Sequence, residues 1–343
     1  MVAVFLAGGV ALLVALVGSP LLIGWLHARG IGQQIREEGP EGHVSKAGTP
    51  TMGGLMIVAA AVAGYLVAHI RTGTIHSRGG LLVLMAVVGT GLVGLADDYL
   101  KVSRQQSLGL NKRGKLAGQL LVAIAFAWLA LHWAHANTHL GFTRATSTHI
   151  NLGSWGWAVF AVLMIVGTSN AVNLTDGLDG LAAGSSAFAF SAFVVICYWE
   201  FRHPVYGVPQ ALDLALVASA LVGGCTGFLW WNAAPARIFM GDTGSLAIGA
   251  GLAALALLSN THLLLPVIGG LFVLETLSVM IQVAAFQLFH RRVFRMAPIH
   301  HHFELLDWPE TTVIVRFWIL AGLFTALGLG FYYADFLRIG GID

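Results

Sequence analysis

The chain has 343 residues, of which 57% are hydrophobic and only 10% are charged, and its mean hydropathy is +0.79. Soluble domains carry about 25% charged residues, so 18 Lys and Arg with 16 Asp and Glu are too few to cover a water-soluble surface. The composition therefore excludes a soluble protein and predicts an integral membrane protein. The net charge is only +2, and no nucleic-acid partner is expected.

Ten stretches of the sequence are long and apolar enough to cross a bilayer, which takes about 20 residues. They lie near 3–26, 51–70, 80–97, 116–135, 155–173, 180–199, 211–231, 243–260, 262–289 and 314–336. The first has no Lys or Arg before its apolar run and exceeds the apolar region of a signal peptide, so we expect a retained span. Polar residues 141–152 predict a short hairpin between spans four and five. We predict an all-α integral membrane protein of one polytopic domain, residues 1–343.

The basic residues predict the orientation, because cytoplasmic loops are enriched in Lys and Arg. The loops after spans one, three, five, seven and nine hold twelve of the 18 basic residues, and the opposite loops hold five. Arg316 lies at the edge of span ten. The odd-numbered loops are therefore predicted to be cytoplasmic, with both termini outside.

Five polar motifs all fall on that predicted cytoplasmic face. The sequence segments are KAGTPTMGG with Lys46 and Thr51, GLADDYLK with Asp97 and Asp98, NAVNLTDGLDGLA with Asp176 and Asp179, FMGDTGSLAIG with Asp242, and APIHHHFE with His300, His301 and His302. Ionisable residues at the edge of the hydrocarbon are costly and usually functional. This gathering predicts an active site on the cytoplasmic face.

The aspartates point to a divalent cation, since carboxylates combined with substrate phosphates typically bind Mg²⁺. Two simpler interpretations exist: Asp97 and Asp98 can mark a solvated helix boundary, and Gly-Asp-Thr-Gly-Ser can be an ordinary helix start instead of an anion site. Three consecutive histidines suggest zinc, but neighbours on a helix point about 100° apart and rarely share one ion. A polar loop that contacts phosphate or substrate is favoured. Glu275, midway along span nine, is left outside the predicted site.

Together these motifs resemble those of the phospho-N-acetylmuramoyl-pentapeptide transferase family, a branch of the polyprenyl-phosphate N-acetylhexosamine-1-phosphate transferase superfamily. The resemblance covers essentially the whole chain, and GTPTMGG and PIHHHFE are characteristic of the branch. It implies a Mg²⁺-dependent enzyme of the bacterial inner membrane, usually a homodimer among membrane lipids. Such an enzyme transfers phospho-MurNAc-pentapeptide from UDP-MurNAc-pentapeptide to undecaprenyl phosphate, giving lipid I and UMP.

The resemblance also implies roles for individual residues. Asp242 resembles the direct metal ligand, with Asp97 and Asp98 beside it as catalytic residues and Asp98 on the lipid side. Phe239 resembles the aromatic residue that stacks on uracil. The polar residues implied on the nucleotide side are Asn173, Asp176 and Asp179. Those implied to contact phosphate or sugar are Lys46, Thr51, Lys115, His300, His301 and His302.

Two other functions are compatible with the composition. A related enzyme could use UDP-GlcNAc or another UDP-sugar, but PIHHHFE argues against it. A secondary transporter could use its acidic residues to carry ions, but transporter sites usually lie near the bilayer midplane at a repeat interface. Here the acidic motifs gather at one predicted face, and no internal repeat is visible, so interfacial chemistry is favoured.

Overall fold

The computed structural model describes residues 1–32, 48–104 and 109–339 of the chain, and Lys46 lies outside these ranges. Within them the chain forms α-helices and no strand. The helices are α1 (Val2–Ala28), α2 (Gly54–Thr72), α3 (Arg78–Ser103), α4 (Lys112–His132), α5 (Gly153–Thr175), α6 (Leu181–Arg202), α7 (Ala211–Asn232), α8 (Gly241–Leu258), α9 (Leu265–Ile268), α10 (Gly270–Phe289), α11 (Ile299–Glu304) and α12 (Glu310–Arg338).

Ten of these helices are long and apolar enough to cross a membrane, which confirms the predicted all-α membrane architecture for the described part of the chain. Their burial differs widely: 94% of the most apolar window of α8 is buried, against 28% for α1 and 22% for α10. A helix that is apolar all round and buried belongs in the core. We therefore find α8 at the centre of the bundle and α1 and α10 at its outer surface.

Glycines let the neighbouring helices approach α8 closely. Gly94 of α3 lies against the carbonyl of Asp242, and Gly54 of α2 lies against the backbone of Gly244. A Cβ atom at either glycine would overlap these main-chain atoms. Small residues at helix contacts permit such approach in membrane proteins. As a result, the start of α2, the end of α3 and the start of α8 meet at one end of the bundle.

The predicted ninth span, 262–289, is wrong in its first part. The membrane helix α10 begins only at Gly270, and the short helix α9 precedes it. Pro266 lies in the first turn of α9, where its missing N–H is tolerated but the helix does not extend backwards. Gly269 separates the two helices. The residues before α9 instead fold against the polar stretch, with the N–H of Gly141 donating to Nδ1 of His262 at 2.9 Å.

The polar stretch between α4 and α5 turns back on itself at the other end of the bundle. The N–H of Leu140 donates to the carbonyl of Ile150 at 2.8 Å, as expected for a short hairpin. Arg144 of this stretch forms an ion pair with Asp335 near the end of α12, with Nε and Oδ2 3.0 Å apart. These contacts fasten the end of the bundle that lies away from the aspartate motifs.

Candidate active site

Three aspartate carboxylates meet where α3 ends and α8 begins. Asp97 and Asp98 are each 2% exposed and Asp242 is 9% exposed, and oxygens of all three lie within 4.8 Å of one another. A solvated helix boundary would leave these groups in water, so that interpretation is wrong. Carboxylate oxygens are the ligands that hard divalent cations prefer. Among the residues that the structure describes, this is the only set of three such side chains close enough to share a metal ion.

The Asp98 carboxylate caps the N-terminus of α8. Its Oδ1 accepts a hydrogen bond from the N–H of Asp242 at 3.1 Å, and its Oδ2 accepts from the N–H and hydroxyl of Thr243 at 2.9 and 2.7 Å. Gly241 has a φ of 72°, and a Cβ there would lie 2.6 Å from Asp98 Oδ2, so glycine is required. The start of α8 is therefore a helix terminus whose free N–H groups bind an anion supplied by α3.

Two lysine ammonium groups bring positive charge to the carboxylates. Lys101 Nζ lies 2.6 Å from Asp97 Oδ2 and 2.9 Å from Asp242 Oδ2. Lys115, at the start of α4, lies 2.8 Å from the same Asp242 oxygen. Lys115 is among the residues that the sequence predicts, but Lys101 is not. The missed signal is the i, i+4 spacing from Asp97 to Lys101, because the predicted span stops at residue 97 whereas α3 continues beyond it.

Asn173, in the last turn of α5, fixes the other oxygen of Asp242. Its Nδ2 donates to Asp242 Oδ1 at 2.6 Å and to Ser245 Oγ at 2.8 Å. Its Oδ1 accepts from Lys115 Nζ at 3.3 Å. Both oxygens of Asp242 are thus held by polar side chains, so the carboxylate has one defined orientation. Asn173 therefore belongs to the group of side chains that contact Asp242.

The segment before α2 pairs with the segment before α8 through the backbone. Phe239 N–H donates to the Pro50 carbonyl at 2.8 Å, and the Phe239 carbonyl accepts from Gly53 N–H at 2.9 Å. The Phe239 side chain is half-buried, and Thr51 is 7% exposed. A Cβ at Gly241 would lie 3.0 Å from Thr51 Oγ1, so the threonine hydroxyl lies beside the helix start. Both predicted residues therefore border the carboxylate cluster.

The loop between α5 and α6 carries the other two predicted aspartates. Asp179 Oδ2 accepts from the N–H of Ala236 at 2.9 Å, and Asp179 N–H donates to Glu310 Oε1 at 3.2 Å. Asp176 is half-buried. Burial, with the nearby carboxylates of Asp242, Asp98 and Asp179 adding to it, raises the pKa of Asp176 to about 8. Asp179 thus ties this loop to the segment before Phe239, while Asp176 lies in the field of the carboxylate cluster.

The three consecutive histidines have three different partners. His300 is fully buried, with Nδ1 3.0 Å from Oε2 of Glu275. His301 Nδ1 lies 2.6 Å from Oε2 of Glu304. His302 Nδ1 accepts from the N–H of Arg295 at 3.1 Å. These separate contacts argue against a zinc ion shared by the three histidines, which lie on the short helix α11 and not in the loop predicted from the sequence.

The predicted residues fall into two neighbouring groups. The first group consists of residues that contact Asp242 or lie beside it. Its members are Asp97, Asp98, Lys115, Asn173 and Asp242, and Asp98 contacts the backbone N–H of Asp242. Thr51 and Phe239 border that group. The second group consists of Asp176 and Asp179 in the α5–α6 loop and the three histidines of α11. Acidic oxygens, ammonium groups and buried helix N–H donors in one place can bind a metal ion together with phosphate groups.

Comparison with known proteins shows which class of enzyme this chain resembles. The Glycosyl transferase family 4 model matches residues 80–260, which contain the three carboxylates and both lysines. The Phospho-N-acetylmuramoyl-pentapeptide-transferase signature 1 matches residues 46–58.

Relatives that match this chain over nearly its full length show a more specific family. Phospho-N-acetylmuramoyl-pentapeptide-transferase of Frankia casuarinae is 54% identical over 353 residues, covering 98% of this chain and 99% of the relative. The proteins of that name from Kineococcus radiotolerans and Streptomyces griseus are each 49% identical. They cover 97% and 96% of this chain and 98% of their own lengths. The chain belongs to the phospho-N-acetylmuramoyl-pentapeptide-transferase family.

Proposed function

We propose that this chain transfers phospho-MurNAc-pentapeptide from UDP-MurNAc-pentapeptide to undecaprenyl phosphate, forming lipid I and UMP. The observation that carries the proposal is the buried cluster of three carboxylates and two ammonium groups in a chain of this family. One substrate is a soluble diphosphate and the other is a lipid phosphate. A cluster at the end of a membrane bundle is where both can arrive.

The cluster fits Mg²⁺ by the chemistry of its donors. Asp242 would hold the ion, with Asp97 beside it, and the substrate diphosphate would supply further oxygen ligands. When bound, Mg²⁺ supplies positive charge that stabilises the diphosphate and the leaving UMP. Lys101 and Lys115 already lie against the same Asp242 oxygen, so this region attracts cations. The same two ammonium groups would bind non-bridging phosphate oxygens of the substrate.

The remaining predicted residues would hold the two substrates. Phe239 would stack on uracil, and the polar groups on the nucleotide side would be Asn173, Asp176 and Asp179. Groups contacting phosphate or sugar would be Lys46, Thr51, Lys115 and the histidine triplet. Since His300 is fully buried, its contribution would be made through its neighbours, and direct contact would fall to His301 and His302.

A single displacement is the favoured mechanism. The second pKa of a phosphate monoester is about 6, so undecaprenyl phosphate is mostly a dianion at neutral pH and needs little help from a base. The alternative is attack by an aspartate to form an acyl-phosphate enzyme. Both oxygens of Asp98 accept hydrogen bonds from α8. Asp97 Oδ1 accepts a hydrogen bond from the N–H of Leu110 at 2.7 Å, and Asp97 forms an ion pair with Lys101. These contacts make either aspartate a poor nucleophile and support direct attack by the lipid phosphate.

Omitting the lipid separates the two mechanisms. Enzyme incubated with Mg²⁺ and UDP-MurNAc-pentapeptide, without undecaprenyl phosphate, is not expected to release UMP in an amount equal to the enzyme. Near-stoichiometric UMP together with a labelled protein adduct would contradict direct displacement.

The activity itself is tested with two radiolabelled donors side by side. UMP release that depends on undecaprenyl phosphate and on UDP-MurNAc-pentapeptide, but not on UDP-GlcNAc, is the expected result. Preference for UDP-GlcNAc would favour the related enzyme, and no UMP release with either donor would favour a transporter.

Metal dependence is tested at Asp242. Asp242→Asn is expected to lose activity by orders of magnitude while the protein still folds, and a chelator should abolish wild-type turnover. Asp335→Asn is the matched control, because Asp335 is also an ion-paired aspartate but lies at the opposite end of the bundle. Full turnover of chelator-treated enzyme would refute the metal assignment.

We also propose that the enzyme lies in the bacterial inner membrane as a homodimer, with the site on the cytoplasmic face and both termini outside. The excess of Lys and Arg in the odd-numbered loops supports this orientation. Labelling of single cysteines introduced at Arg291 and at Ile75, which lie on opposite predicted faces, tests it in intact cells. Preferential labelling at position 75 by an impermeant reagent is expected, and the reverse would overturn it.

A further inference from the structure

Glu275 is a fully buried glutamate in the second turn of α10. It lies on a helix that otherwise exposes most of its surface, since only 22% of its most apolar window is buried. A carboxylate within a membrane span is costly unless it is paired, and such residues usually serve a function. Glu275 points away from the exposed side of α10 and into the protein.

Its partner is His300, the first histidine of the triplet. Nδ1 of His300 lies 3.0 Å from Oε2 of Glu275, and both side chains are fully buried. The two atoms lie within ion-pair distance, although their geometry does not make a hydrogen bond. The contact places Nδ1 of the imidazole ring against the carboxylate and leaves Nε2 on the opposite side of the ring.

The opposite side of the ring lies against the α5–α6 loop. A Cβ at Gly177 would overlap Nε2 of His300, so the ring edge packs directly on the loop backbone. Gly177 directly follows Asp176 in the chain and lies two residues before Asp179. A continuous set of contacts therefore runs from Glu275 through His300 to the loop that carries both aspartates.

We propose that Glu275 is a positioning residue for the nucleotide substrate, acting through His300 on the Asp176–Asp179 loop. This inference rests on the proposed function, in which that loop lies on the nucleotide side. If the carboxylate is lost, the ring is no longer fixed, and the loop loses the surface on which it packs. Binding of UDP-MurNAc-pentapeptide then weakens, whereas binding of undecaprenyl phosphate does not.

The test compares the KM values of the two substrates in purified full-length enzyme. For Glu275→Gln, the KM of UDP-MurNAc-pentapeptide is expected to rise about 10- to 100-fold, by analogy with the loss of a residue that orients a metal-binding histidine. The KM of undecaprenyl phosphate is expected to stay close to that of wild type. His300→Asn keeps a polar group near the position of Nδ1 but removes the edge that contacts Gly177, so the same pattern is expected. Because the residues act in series, the double variant should be no worse than the more impaired single variant.

Gly177→Ala changes the contact between the α5–α6 loop and His300 from the side of the loop, and it leaves Glu275 unchanged. Its added methyl would overlap His300 Nε2, and it should raise the nucleotide KM alone. This variant keeps the test decisive if Glu275→Gln fails to fold. Glu200→Gln is the matched control, because Glu200 is also a buried glutamate, 2% exposed, but lies near the end of α6 remote from the site. Both of its KM values should be unchanged.

Two results would overturn the inference. Equal increases in both KM values would indicate a general structural role, and multiplicative effects in the double variant would show that Glu275 does not act through His300. Failure of the proposed function would look different, because the wild-type enzyme would then release UMP from UDP-GlcNAc instead, or from neither donor.

Discussion

Asp98 caps the helix whose first turn holds Asp242: Asp98 Oδ1 accepts a hydrogen bond from the N–H of Asp242 at 3.1 Å. The two aspartates come from α3 and α8, 144 residues apart in the chain. Through this bond, one carboxylate of the cluster fixes the backbone that presents another. The position of Asp242 therefore depends on Asp98, whatever further part Asp98 has in the reaction.

The cap predicts that two variants of Asp98 differ in stability but not in activity. Asn is a good N-cap whereas Ala is not, and the loss of a cap lowers stability by about 1 kcal/mol. Asp98→Ala should therefore have a lower Tm than Asp98→Asn. Both remove the negative charge, so both should lose most UMP release. Equal Tm values in thermal unfolding would show that the cap is not important for stability.

The contact between Lys101 and Asp242 predicts that removing the lysine charge changes how strongly Mg²⁺ stabilises the protein. Without its ammonium group, three buried carboxylates repel each other more strongly, so Lys101→Met should lower the Tm of metal-free enzyme. Because the ammonium group no longer competes for Asp242, Mg²⁺ should then raise the Tm by more than in wild type. Thermal unfolding with Mg²⁺ and with chelator measures both effects. Lys112→Met removes an exposed lysine at the start of α4 as a control, and the same Mg²⁺ response in both variants would exclude the effect.

Phe239 predicts a loss of nucleotide affinity without loss of the local fold. Its hydrogen bonds to Pro50 and Gly53 use only the backbone, so Phe239→Ala keeps them. If the ring stacks on uracil, the variant should bind UDP-MurNAc-pentapeptide more weakly by about 1–3 kcal/mol. Phe239→Tyr keeps an aromatic face and should bind nearly as well as wild type. Calorimetry with both variants tests this, and unchanged affinity in the alanine variant would remove Phe239 from the site.

Asp176 predicts a specific pH dependence. Burial raises its pKa from 3.8 to about 8, with nearby carboxylates adding to the shift. The folded chain therefore keeps a proton that the unfolded chain releases, so this group makes stability fall as pH rises from about 4 to about 8. Metal-free wild type should lose Tm between about pH 6 and about pH 8 more steeply than Asp176→Asn. Identical slopes in the two proteins would refute the shift.

Much of this protein follows from its sequence alone. Hydropathy is a property of contiguous segments, so the ten spans could be predicted without knowing how they pack. The motifs also identified most of the residues that meet in the site, because Asp97, Asp98 and Asp242 stand at the ends of apolar runs where carboxylates are costly. The start of the ninth span was predicted wrongly, because an apolar stretch interrupted by Pro266 and Gly269 has the hydropathy of a membrane helix without forming one continuous helix.

Tertiary structure alone decided which groups bind one another. Asp98 caps α8, and Lys101 bridges Asp97 and Asp242, because glycines let α3 approach α8 until main chains touch. Likewise, the pairing of Glu275 with His300 depends on how α10 and α11 pack, and it separates His300 from the two histidines that follow it. Hydropathy and motif spacing describe each helix by itself. The distances between side chains on different helices come from packing, which determines how each carboxylate is held.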